Sequence, residues 1–108
     1  MKLSFLLCIA VLFSLTPGKQ DHCELKGAVY IEKTAAFADY KVYVEPTEDF
    51  ADMMVYKEEV VTFADEAGVW YFTEVREEAS FSIHLEDNPD FADFSIFYTK
   101  FRADAGCP

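Results

Sequence analysis

Positive charge is scarce in this chain: nine Lys and Arg stand against 20 Asp and Glu, a formal net charge of −11. That balance argues against nucleic acid and anionic membrane as partners, because both are held by clustered basic residues. A cationic partner stays open. Histidine is limited to His22 and His84, so a zinc site of the usual ligand set lacks candidates. There is no G-x-S-x-G, no P-loop and no dinucleotide fingerprint, so none of the common catalytic signatures supplies an activity. The single asparagine, Asn88, precedes Pro89 and forms no glycosylation sequon. Beyond Leu15 no segment approaches the roughly 20 apolar residues of a membrane span.

What is present begins with a leader. Lys2, an apolar run from Leu3 to Leu15 and the small and turn-forming residues up to Gly18 have the three-part form of a secretory signal peptide. Residues 1–18 are therefore expected to be removed, leaving 19–108 as one extracellular domain. Cleavage takes one of nine basic residues and none of the 20 acidic ones, so the mature charge is 8 − 20 = −12. It also removes Cys8. Cys23 and Cys107 remain, one near each end, and in an oxidising compartment they read as a disulfide. Closing a loop of roughly 85 residues stabilises by about 4.5 kcal/mol on the chain-entropy argument.

Between the cysteines the chain repeats itself. Six units share cores at 28–33, 41–46, 54–59, 69–74, 82–87 and 95–100. Val29, Val42, Val55, Trp70, Ile83 and Ile96 occupy one position, and Ala38, Ala51, Ala64, Ala79, Ala92 and Ala105 another. Both columns step by 13, 13, 15, 13 and 13 residues, and agreement that includes the irregular step marks true internal repetition. Within units, apolar and polar residues alternate: Ala38, Tyr40, Val42 and Val44 against Asp39, Lys41, Tyr43 and Glu45. Period-two alternation rich in Val, Ile, Tyr and Phe predicts strands. Turn formers separate them in EPTED, TEVREE and EDNPD. The spacing predicts an all-β domain of six short strands. About five residues per connection, fewer than an ordinary parallel crossover needs, predict an antiparallel meander or a small closed sheet.

Three columns are candidates for more than the fold. Phe37, Phe50, Phe63 and Phe91 are expected to cover an end of the core. Asp39, Asp52, Asp65 and Asp93 are expected to accept hydrogen bonds from turn N–H groups; the alternative is a carboxylate ring binding Ca²⁺. Tyr30, Tyr43, Tyr56, Tyr71, His84 and Phe97 lie on the face opposite the Val/Ile column. If solvated, that stripe is a candidate surface for a sugar or an extended peptide; otherwise it stabilises the sheet through cross-strand pairs.

The series FADYKVYV, FADMMVY, FADEAGVWYFT and ADFSIFYTKFRADAGC resembles the 7(1) septoil knot domain family over nearly the whole mature chain. Ala79-Ser80, where Ala-Asp is expected, and His84 depart from its pattern. The resemblance implies a small domain with a knotted backbone and implies no activity. With the longer step at Glu66-Ala67-Gly68 dividing the units three plus three, it leads us to expect that unit n pairs with unit n+3. The function expected is that of a secreted, non-enzymatic binding or structural module acting on an extracellular protein or glycan. A small secreted hydrolase using a carboxylate pair is the alternative.

Overall fold

The computed structural model describes residues 20–108, and the expected signal peptide lies outside them. Each repeat core becomes one strand: β1 Gly27–Ile31, β2 Tyr40–Val44, β3 Met53–Lys57, β4 Val69–Phe72, β5 Phe81–Leu85 and β6 Phe94–Thr99. Each of the five connections contains one 3-10 turn, and two more flank the strands among the described residues, His22–Glu24 before β1 and Arg102–Asp104 after β6. The conserved spacing of alanine now has a cause. Ala38, Ala51, Ala79, Ala92 and Ala105 return the backbone to extended geometry while their N–H groups close the turn behind them.

The strands close a barrel in the order β1-β4-β3-β6-β2-β5. Pairing of unit n with unit n+3 is observed in β1–β4, β2–β5 and β3–β6. The antiparallel meander is not: all six pairs are parallel. Short connections suffice for parallel pairing here because the strands are short as well. A five-residue strand spans about 17 Å, and the eight residues from Glu32 to Asp39 can reach roughly 28 Å. An extended strap with one turn is therefore long enough to return. Four straps of this length each hop one strand of the other trio. The first leaves β1 on one flank of β5, where Glu32 N–H bonds the Ile83 carbonyl, and re-enters on the other, where Asp39 N–H meets Ser82 Oγ. Only residues 58–68 are longer, and they join β3 to β4, which are barrel neighbours.

Register is uniform. Opposite Tyr71 lies Ala28, two residues before its repeat equivalent Tyr30, and every other neighbouring pair is offset by two in the same sense. Around six strands the stagger is twelve residues, which tilts the strands by about 55° to the barrel axis, beyond the usual range. An even offset preserves inward and outward parity, so the Val/Ile/Trp column stays inside on every strand. Val29, Val42, Val55, Trp70, Ile83 and Ile96 are fully buried.

The strand-starting end is closed by both termini. Inward positions there are Tyr40, Met53, Phe81 and Phe94, whereas β1 and the entry to β4 carry Gly27 and Gly68. Trp70 and Leu25 are both buried nearby, and Trp70 Nε1–H donates to the Leu25 carbonyl at 3.0 Å. His22 stacks on Phe94 at 4.7 Å, Tyr40 Oη–H donates to the Gln20 carbonyl at 2.9 Å, and Cys23 and Cys107 are bonded. At the opposite end Ile31 and Leu85 are exposed beside partly buried Val44, Phe72 and Tyr98.

Burial raises the pKa of Tyr98, and burial together with nearby Asp39 raises that of Tyr40. Both phenols are neutral when protonated, so their contribution is fully present below the unfolded value near 10 and is lost as pH rises through the higher folded values. Stability is expected to fall on raising pH above about 10 as Tyr40 and Tyr98 ionise. Ultraviolet difference titration followed by denaturant melts at each pH checks it.

Candidate functional site

Carboxylates of the Asp column reach across to neighbouring strands rather than back to their own turns. Asp39 Oδ2 accepts from Ser82 N–H at 2.9 Å, while Asp39 N–H donates to Ser82 Oγ. Asp52 and Ser95 repeat this exchange, and Asp93 Oδ2 accepts from Lys41 N–H at 2.7 Å. Asp65 instead meets Arg102 Nη2 at 2.9 Å. Serine at the first outward position of β5 and β6 makes the reciprocal exchange; this is a repeat-to-repeat clamp that sequence spacing alone does not reveal. The four aspartates are dispersed around the barrel. Among the described residues, the one group of three His, Cys, Asp or Glu ligand atoms lying within 4.8 Å of one another is His22, Cys23 and Cys107, and its two sulfurs are joined in the disulfide.

The aromatic column is also dispersed. Tyr30, Tyr71, Tyr56, Phe97, Tyr43 and His84 follow one another around the closed barrel in that strand order, each partly buried. They form a girdle, and a flat ligand can touch only a neighbouring few. Tyr30 lines a groove of about 580 Å³ with Ile31, Lys33, Phe72, Thr73 and Glu74. Phe97 lines another of about 370 Å³ that includes Glu48, Phe101 and Asp104. The Arg76 guanidinium lies 5.2 Å from the Tyr30 ring. His84 Nδ1 is 2.9 Å from the Glu32 carbonyl, which ties β5 to the end of β1, and its Nε2 is 3.6 Å from Glu86 just beyond its own strand.

The phenylalanines do not cover the core. Phe37, Phe50, Phe63 and Phe91 are 66, 76, 55 and 67 % exposed, and Phe101 is 67 % exposed. Phe37, Phe50, Phe63 and Phe91 each end a 3-10 turn in a connection outside the barrel, whereas Phe101 is the cap residue before the final turn. A signal existed: Phe37 shares parity with Asp39 and Lys41, the outward residues of its unit. Acidic residues accompany the rings at Asp39, Asp49, Asp52, Asp65, Asp90, Asp93 and Asp104. The exposed rings recur in four of the six units, with Glu78 and Asp104 at the equivalent position of the other two, and are set in negative charge.

Such a molecule is a small disulfide-closed repeat barrel, all parallel, with straps on its outer wall. The chain belongs to the 7(1) septoil knot domain family, which it matches over residues 22–108. No curated protein and no solved structure gives a significant match.

Proposed function

We propose that this protein is a secreted, non-enzymatic binding module that presents its strap phenylalanines, within an acidic surround, to an extracellular protein or glycan. The observation that carries this reading is four repeat-equivalent phenylalanines, Phe37, Phe50, Phe63 and Phe91, joined by Phe101, each more than half exposed. A lone exposed apolar residue is ordinary; the same aromatic kept outward at repeat after repeat is not accounted for by packing. Rigidity supports the reading, because the straps are bonded to the strands they cross and the ends are clipped together. The threaded path implied by the family's description belongs to the same proposal, since interleaved trios would open slowly and resist extracellular proteases.

Replacing Phe37, Phe50, Phe63, Phe91 and Phe101 together by Ser tests it. The melting temperature is expected to stay within a few degrees, because exposed sites contribute about 0.5 kcal/mol or less each. Binding to arrayed extracellular proteins and glycans is expected to be lost. Ligands retained by the quintuple variant at full strength would overturn the reading, and turnover of ester or glycoside substrates by the wild type would favour the hydrolase.

A further inference from the structure

The first trio writes the same three-residue phrase at each strand end: Tyr30-Ile31-Glu32, Tyr43-Val44-Glu45 and Tyr56-Lys57-Glu58. A strap or the final turn crosses each of these strands, and their 3-10 turns begin at Arg76 over β1, Pro89 over β2 and Arg102 over β3. These positions are 13 residues apart and repeat-equivalent. At β1, Arg76 Nη2 pairs with Glu32 at 2.6 and 2.8 Å. At β3, Arg102 Nη1 pairs with Glu58 at 3.1 Å. Both carboxylates are largely buried, at 6 and 14 % side-chain exposure. At β2 the equivalent residue is proline, which has no charge to offer. Glu45 is partly buried; its backbone N–H bonds the Ile96 carbonyl, and its carboxylate has no hydrogen bond or ion pair among the described residues.

From this we propose that Glu45, beside Tyr43, is a receiving site for an arginine side chain supplied by a partner polypeptide. The molecule itself shows which chemistry the site takes, because two of its three copies hold a guanidinium. A guanidinium fits better than an ammonium: its planar fork can donate two bonds to one carboxylate and lie against an aromatic ring. Long-range attraction assists, since the protein carries a net charge of −11 that draws a basic segment in before contact. Phe91 closes the turn that starts at Pro89 and is 67 % exposed, so an arginine flanked by an apolar residue would meet both. This inference rests on the binding-module reading and names the partner's chemistry on one strap.

The test uses N-acetyl-arginine amide as the probe, with N-acetyl-lysine amide for comparison, read by amide chemical shifts on the oxidised protein. Saturable shifts confined to residues 43–46 and 88–91 are expected, with several-fold weaker binding of the lysine probe. They should vanish in Glu45→Gln, which removes the charge, and in Pro89→Arg, which fills the site from within as Arg76 and Arg102 do. Both variants are expected to keep the wild-type spectrum elsewhere, and Pro89→Arg to melt no lower than wild type. Shifts scattered over the acidic surface, no saturable shifts, or shifts that persist in both variants would overturn the proposal. The quintuple Phe→Ser variant distinguishes the two readings. If it loses partner binding while the arginine site fails, the module reading stands and this one falls.

Discussion

Gly68→Ala is expected to leave the chain unable to fold to its native barrel. A β-carbon placed on Gly68 would sit 2.2 Å from the Gly106 nitrogen and 2.8 Å from both the Gly106 Cα and the Met54 carbonyl oxygen. All three are backbone atoms, so no rotamer change relieves the overlap. The residue also has φ +81°, a region that costs a non-glycine residue about 1–3 kcal/mol before any clash. The neighbourhood has little freedom to shift. Gly68 N–H donates to the Leu25 carbonyl, its carbonyl accepts from Tyr56 N–H, and Gly106 exchanges two hydrogen bonds with Met54. Moving any one of these strips a hydrogen bond from the end of the barrel that the termini close. The combined loss should exceed about 4 kcal/mol, in the range reserved for disrupted cores and strained backbone. Gly106→Ala is the control: it shares a positive φ, but its nearest contact would be the Ala67 carbonyl at 3.4 Å, so about 1–3 kcal/mol is expected. Urea unfolding monitored through the single tryptophan checks both, with Trp70 well placed because it bonds the same Leu25 carbonyl. A Gly68→Ala protein that unfolds at the wild-type midpoint would contradict the close approach of these backbones.

Replacing Cys23 and Cys107 together by Ser is expected to cost about 4.5 kcal/mol. The bond links residues 84 apart in sequence, so the unlinked chain recovers nearly the full conformational freedom of the domain on unfolding. Effects on the folded state should be local. His22 stacked on Phe94 and the Tyr40 bond to the Gln20 carbonyl belong to the N-terminal segment that the disulfide anchors, and these are expected to fray first. Leu25, held by its own burial and by two hydrogen bonds to its carbonyl, should stay seated. Denaturant midpoints give the first quantity, and amide exchange at residues 21–25 against that of β6 gives the second. A midpoint drop of under about 1 kcal/mol equivalent would mean that the unfolded chain is already constrained without the bond and would contradict the expectation.

Much of the barrel was legible in the chain because a closed repeat has few ways to satisfy its pattern. The alternation around Val42 and Ile83 fixed which side chains go inside, and the 15-residue step marked the one connection that differs. Strand direction was not legible. Five residues between units are too few for a helical crossover, but whether an extended strap suffices depends on strand length, tilt and a foreign strand lying between. None of these is a property of one unit. The phenylalanines were misplaced for a related reason. An aromatic next to a buried strand is usually core, and only the path of the strap across the neighbouring strand shows that Phe50 or Phe91 has the barrel wall beneath it.

The sequence by itself determined the six units, the inward column and the three-plus-three division, because each rests on spacing along one chain; the pairing of Cys23 with Cys107 was expected from the loss of Cys8 with the leader, and the structure shows the bond. Tertiary structure alone decided the parallel order, the two-residue stagger, the Asp–Ser clamps and the contrast between Arg76, Pro89 and Arg102. Those depend on which repeat lies beside which, and a 13-residue period reads the same whether neighbours in sequence are neighbours in space or are separated by a strand of the other trio.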